Sequence, residues 1–325
     1  METMTIMPVP STIEEDVQES KTDNQFIQAN TTPISIGELR GSCIIPSFAK
    51  DNESTISHSH FIEAVYNAAE MAFDRETISN PIVRVSHPVR GRIPSAMGKP
   101  AKLLFENEKT LYYERMAFLI EIPSIRDTAG GNDLSLTIGG VRSYSESNLY
   151  RKKSEERFKV FVGFKNMVCT NLCISSDGFI GELKVRSVSE IVNEAFKLFG
   201  NYDPDEDVRV YNEMTQEAIT EQQFAQLVGR SRMYHFMPQK VKKEIPAMPL
   251  MDSQISTVTK DYYADESFCR SEDGLINLWR LYNLFTGANK SSYIDSYLER
   301  GVGSQRFVKG LQNALKSDSD HWFVS

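Results

Sequence analysis

The sequence predicts an α+β fold, with a mainly antiparallel sheet in the first half and helices in the second half. Three observations carry this prediction. Between Ile82 and Lys184 the chain holds short runs rich in β-branched and aromatic residues, separated by proline and glycine. After Arg186 the apolar residues recur instead at three- and four-residue steps. Two of the helical stretches also open with capping-box spacing, Ser187 with Glu190 and Thr220 with Gln223.

The elements follow in chain order. In residues 1–33, Glu2, Glu14, Glu15, Asp16, Glu19 and Asp23 stand against Lys21 alone, six acids to one base, which gives −5 of the total net charge of −8. This segment is rich in Thr, Ser, Gln and Asn. Burial of its few apolar side chains cannot offset the entropy of ordering them, so a disordered acidic tail is expected. An α+β core domain is expected over 34–236, a Pro/Lys-rich connector over 237–252 and a C-terminal helical region packed on the core over 253–325. Ser57 precedes a first helix, about Ser59 to Asp74, whose Phe61, Val65, Ala68, Ala69, Ala72 and Phe73 form one apolar face. Strands are expected at Ile82–Val85, Leu111–Tyr113, Phe118–Ile122 and Leu134–Val141, punctuated by Pro88, Pro94, Pro123, Gly130-Gly131 and Gly139-Gly140. Phe158, Val160, Val162 and Phe164 alternate with Lys159, Phe161, Gly163 and Lys165, the pattern of a half-buried strand. Ile174 to Lys184 is its expected partner across the Ser176-Asp177-Gly178 turn. Helices follow from Val188 and from Phe224. Pro238, Pro246 and Pro249 mark the connector with Lys240, Lys242 and Lys243. An amphipathic helix carries Leu275, Leu278, Trp279, Tyr282 and Phe285. Two more are expected around Tyr293 and Tyr297 and from Phe307 to Leu315, separated by Gly301-Val302-Gly303, with the terminal Trp322-Phe323 pair buried.

A chain of 325 residues with 40% hydrophobic and 25% charged content fits a globular protein and excludes collagen-like and wholly disordered classes. No apolar run approaches the roughly 20 residues of a membrane span, and residues 1–33 lack the features of a cleaved leader. Four cysteines do not make a disulfide scaffold, so a cytoplasmic protein with reduced thiols is expected, with no membrane partner.

Catalytic motifs are not found. There is no Gly-x-Ser-x-Gly elbow, no Walker loop and no Gly-x-Gly-x-x-Gly, so no catalytic residue and no cofactor are assigned. Cys169 and Cys173 are spaced to share a face, but only Cys43, His235 and Cys269 remain to complete a four-ligand site, and core packing is the expected role. Asn166, Thr170 and Asn171 are expected to satisfy backbone groups at a bend. His58-Ser59-His60 straddles a helix start, where exposed polar residues are ordinary. Asp203, Asp205 and Asp207 open like a calcium loop, yet Val208 replaces the glycine and Met214 the bidentate glutamate. A solvated acidic turn is expected there, and no metal.

Basic clusters are the remaining signal. Arg84, Arg90, Arg92, Lys99 and Lys102 occur without an intervening acid, and Arg151, Lys152 and Lys153 form a second group with Arg157 and Lys159. Several such groups on one surface neutralise phosphates, and Tyr112 and Tyr150 are candidate stacking platforms for bases. The expected partner is single- or double-stranded DNA, with the acidic tail as an intramolecular competitor for the basic surface. The alternative partner is a host or element-encoded protein. Lys184 with Arg186, Arg230 with Arg232, and Lys240 with Lys242 and Lys243 add further cations.

The segment from Val160 to Cys173, with Asn166, Cys169, Thr170, Asn171 and Cys173, followed by Ser176-Asp177-Gly178, resembles the central motif of a bacterial family of unknown function carried by conjugative transposons and related mobile elements. It is distantly similar to a phage/plasmid-like family with a comparable Cys-Thr-Asn segment and a C-terminal helix like Leu278-Trp279-Arg280-Leu281-Tyr282-Asn283. The likeness runs from about Ile34 to Ser325 and omits the tail. It implies a cytoplasmic accessory protein of a mobile genetic element, DNA-binding and non-enzymatic, acting in recombination or replication or as a single-strand binder. The alternative is a factor that blocks a host defence or regulatory protein.

Overall fold

A computed structural model describes residues 25–42, 55–96, 98–147 and 155–325. The expected α+β class is observed: the sheet occupies the first half and helices the second. Its strands are β1 (Thr32–Ile34), β2 (Ile82–Val85), β5 (Arg115–Ala129), β6 (Asn132–Ser143), β7 (Glu156–Asn166), β8 (Leu172–Cys173) and β9 (Phe179–Val185). They run in the order β1-β2-β5-β6-β7, and β8 and β9 then share the outer edge of β7, all antiparallel. Two shorter strands, β3 (Pro88–Arg92) and β4 (Lys109–Tyr113), pair only with each other.

The sheet is buried on both faces. On one side Phe118, Ile120, Ile122, Phe158, Val160 and Val162 pack into the main cluster with α2 (His58–Ala72) and α3 (Val188–Asn201). On the other side Ala117, Leu119, Val141 and Phe161 meet Phe26, Ile27 and the first turns of α9 (Ile294–Lys316). This corrects the half-buried reading of β7. Its second face is covered too, and Lys159 and Lys165 are tolerated there because Glu146, Glu299 and Glu121 neutralise them. Burial opposes the charge on Lys159, but the two carboxylates outweigh it and raise its pKa. The partner strand is also divided. The turn after β7 is formed by residues 167–171, and Ser176-Asp177-Gly178 lies between β8 and β9.

The remaining helices are α1 (Ile36–Ser42), α4 (Pro204–Met214), α5 (Glu221–Phe236), α6 (Gln239–Lys242), α7 (Asp252–Ala264) and α8 (Leu278–Asn289), with a small β10–β11 pair (Ala218–Ile219, Ile276–Asn277). Ser57, Ser187 and Thr220 cap α2, α3 and α5, each side chain accepting from a backbone N–H two or three residues into the helix. Residues from 253 onward share the main cluster with the sheet through Tyr262, Trp279, Tyr282 and Phe323.

Several expectations change. Phe26 and Ile27 are buried and β1 begins at Thr32, so the chain joins the body before the expected tail boundary at residue 33. Residues 1–24 of the acidic tail lie outside the described residues. Asp203 to Asp207 are not a solvated turn: Asp203 caps α4, Pro204 takes its first position, and Asp207 is buried against Tyr202. Helix α8 is buried nearly all round, with Leu278, Trp279, Leu281, Tyr282, Leu284 and Phe285 in the core, so it is not amphipathic. The two helices expected after Tyr293 are one, because α9 runs through Gly301 and Gly303. A Cβ at Gly303 would sit 2.9 Å from Pro249, so glycine there permits a close approach rather than a break. Gly139 and Gly140 likewise lie inside β6, where a Cβ at Gly140 would sit 2.6 Å from the Phe61 ring.

Candidate nucleic-acid interface

The β3–β4 ribbon pairs with no strand of the main sheet, and Leu111 and Tyr113 of β4 pack it against the core. Arg90 lies opposite Leu111 and Arg92 opposite Lys109 in the register. Directly opposed residues share a face, and alternate residues along a strand do too, so Arg90, Arg92 and Lys109 lie on one side of the ribbon. Tyr112, opposite Val89, lies on the other side. Over residues 88–113 five basic residues stand against Glu106 and Glu108.

The individual side chains differ in availability. Arg90 and Lys102 are exposed and form no ion pair among the described residues, although the charge of Arg90 helps to hold the Glu106 carboxyl down. Arg92 is half-buried and donates to the Lys99 carbonyl, while Lys99 pairs with Glu108 and Lys109 with Glu106. These hydrogen bonds hold both glutamate carboxyls below the usual carboxylate range. Glu106 and Glu108 follow Lys102 closely in the sequence, and the loop folds them back onto the basic run. Two apolar residues missed in the sequence reading project at the loop, Leu103 at 65% exposure and Phe105 at 69%. Their signal was a Leu-Leu-Phe run inside a loop punctuated by Pro94 and Pro100.

Arg84 does not belong to this surface. It sits on β2 at 4% exposure, where Nε donates to Thr31 Oγ1 at 2.7 Å and a terminal nitrogen donates to Thr31 O at 2.8 Å. Its role is to tie down the chain entering β1. Tyr112 is half-buried, edge-on to Tyr144 at 6.1 Å between ring centroids. Tyr150, Arg151, Lys152 and Lys153 lie outside the described residues.

The family motif forms the tight connection between β7 and β8. Asn166 Oδ1 accepts from the Val168 N–H at 3.0 Å, the Thr170 N–H donates to Asn166 O at 2.8 Å, and Asn171 Nδ2 donates to Asn283 O at 2.9 Å. Asn166 Nδ2 donates to Asn283 Oδ1 at 3.0 Å, and Asn283 Nδ2 donates to Trp279 O at 3.0 Å. Thr170 has a φ of 57°, a conformation that costs a β-branched residue energy. Lys290, at the end of α8, holds it there by donating to Cys169 O and to Thr170 Oγ1. The motif is therefore clamped to α8 by amide side chains and one lysine.

Neither cysteine is activated in this setting. Burial pushes the Cys169 thiol up and the Cys173 thiol well up, so both are held in the protonated form rather than as nucleophilic thiolates. Cys173 is fully buried, and Cys169 approaches Asn283 Oδ1 at 3.9 Å. Among the described residues no three His, Cys, Asp or Glu side chains are arranged to hold a metal ion. No helix of the described residues is long and apolar enough to cross a membrane.

His58 is buried rather than exposed. Its Nε2 donates to Tyr113 O at 2.8 Å, and burial, aided by the charge of Arg142, pushes its pKa down to about 3. Arg142 itself is enclosed. It donates to Ile56 O, pairs with Glu156, and lies over the Tyr144 and Phe158 rings at 4.3 and 4.5 Å. Glu156 in turn accepts from the Ile56 N–H at 3.1 Å, so one buried ion pair grips both backbone groups of Ile56 at the entry to α2.

No curated protein and no solved structure matches the chain. A family match spans residues 9–324, so it starts within the acidic segment rather than near Ile34 and takes in the ribbon, the clamped motif and the C-terminal helices. On that match the chain belongs to the family described as a domain of unknown function, B. Theta gene description (DUF3871).

Proposed function

We propose that the protein is a non-enzymatic, nucleic-acid-associated accessory protein whose β3–β4 ribbon engages the phosphate backbone. One observation carries the reading: the register sets Arg90, Arg92 and Lys109 on one face of a ribbon that pairs with no other strand, with Lys102 exposed at its loop. A net charge of −8 does not oppose this, because charges beyond a Debye length of roughly 8–10 Å are screened and local patches govern contact with a polyanion. Phe105 offers an exposed ring on which an unpaired base can stack, which favours a single-strand binder or a recombination or replication accessory. The motif resemblance supports a setting in a mobile genetic element such as a conjugative transposon, and with it a cytoplasmic location.

The test is fluorescence anisotropy against labelled single-stranded DNA, duplex DNA and RNA from about 50 to 200 mM salt. Arg90→Ala with Lys102→Ala is expected to weaken binding and to reduce the salt slope by about two. An unchanged slope removes the ribbon from the interface.

A second reading is a protein-interaction factor that blocks a host protein, and the exposed Leu103 and Phe105 favour it. It predicts a partner that survives nuclease treatment and is lost on Leu103→Ser with Phe105→Ser, whereas the first reading predicts loss of partners on nuclease treatment.

A further inference from the structure

Helix α5 buries only Phe224, Leu227 and Ser231, yet its outer side is not polar. Ala225, Gly229, Met233 and Phe236 are all exposed and fall on one stripe by helical spacing. Phe236 is 87% exposed and Met233 61%, with Met251 at 48% beside the start of α7. Exposed apolar stripes of this kind, rimmed by charge, mark surfaces that something covers. The adjoining segment carries three lysines against one exposed acid, Glu244: Lys240 and Lys243 are exposed with no ion pair among the described residues, and Lys242 lies 5.0 Å over the Tyr234 ring.

We propose that residues 9–24 of the same chain cover this stripe. Their charge is complementary, since Glu14, Glu15, Asp16, Glu19 and Asp23 stand against Lys21 alone. Ile13 and Val17, four residues apart among those acids, supply apolar contacts for Met233 and Phe236. The point where the chain enters the body places this segment within reach. The Gln28 N–H donates to Lys290 O at 2.8 Å, and the next residues, Ser291 and Ser292, accept from Gln254 of α7 at 3.2 and 2.8 Å. Within the same turns of α7, Asp252 pairs with Arg232 of α5 at 3.0 Å and Ser256 accepts from it at 2.8 Å. Only α7 therefore separates the entry point from α5, a width of about 10 Å. Residues 9–24, fully extended, span about 50 Å. The segment also falls within the family's own span, which begins at residue 9.

The experiment uses the full chain without nucleic acid, so its outcome is independent of the ribbon reading. Carbodiimide cross-linking, mapped by mass spectrometry on a mixture of isotope-labelled and unlabelled protein, is expected to join Glu14, Glu15 or Glu19 to Lys240 or Lys243 within one chain. Links only between labelled and unlabelled chains would make a second copy the occupant and overturn the proposal, as would acid links that reach other lysines and never Lys240 or Lys243. Hydrogen exchange supplies a second readout. Glu14→Lys with Glu15→Lys and Glu19→Lys is expected to raise exchange several-fold over residues 232–243, and adding Lys240→Glu with Lys243→Glu is expected to restore protection. Exchange indifferent to both sets of changes would contradict the assignment.

Discussion

At the scale of single residues, the costliest position is the buried pair Arg142 and Glu156. Removing one partner strands the other charge in the core, so Glu156→Gln is expected to lower stability by about 3–5 kcal/mol in chemical denaturation. His58 adds a pH dependence. Its folded pKa of about 3 lies below the ordinary 6.5, so the unfolded chain takes up the proton first as pH falls. Stability is full above about pH 6.5 and declines below it, by at most about 1.4 kcal/mol per pH unit, until the folded pKa is reached. The groups facing the ring are Arg142, Tyr113 O and Tyr144, with Glu156 behind the arginine. His58→Gln is expected to flatten the stability profile between pH 6.5 and 4; an unchanged profile would assign the acid sensitivity elsewhere. In the motif clamp, Asn283→Leu removes the acceptor of Asn166 Nδ2 and the donor to Trp279 O, while Asn171 Nδ2 keeps the backbone carbonyl of residue 283, and is expected to cost about 1–3 kcal/mol. The cysteine pair and the Asn-Thr-Asn bend were legible as core and turn. Asn283 was not, because its partner lies more than a hundred residues away and nothing local marks the contact.

Individual elements show what periodicity reveals and what it hides. Strands β2 and β6 and helices α2, α3 and α5 stand close to their expected places, since each has a clear period and each helix also a capping side chain. Strand β7 was read as half-buried because Lys159 and Lys165 alternate with apolar residues. The structure buries that face under α9 and answers the lysines with carboxylates from distant elements, a pairing no sequence window contains. The turn between β5 and β6 behaves as expected for Gly130-Gly131, both at positive φ. Its tip fits against α8, where Trp279 Nε1 donates to Asn132 Oδ1 at 2.9 Å. Gly140→Ala crowds the Phe61 ring and the Lys159 carbonyl oxygen on the neighbouring strand and is expected to cost about 1–3 kcal/mol. Full wild-type stability in that variant would show that both the ring and the strand can give way.

For the whole molecule, the sheet, its two covered faces and the α8–α9 layer form the scaffold, and function is assigned to what projects from it. The basic run from Arg84 to Lys102 was legible in sequence, but its geometry was not. Arg84 is spent on Thr31, Glu106 and Glu108 fold back on Lys109 and Lys99, and the exposed Leu103 and Phe105 lie between them. The central claim is that the ribbon carries a phosphate-binding face despite an acidic chain. Anisotropy of the full chain and of its Arg90→Ala, Lys102→Ala variant on labelled single-stranded DNA, across about 50 to 200 mM salt, tests it most directly. The account predicts binding that weakens steeply with salt, with a slope shallower by about two in the variant; no binding by the full chain at the lowest salt, or equal slopes for both proteins, would contradict it.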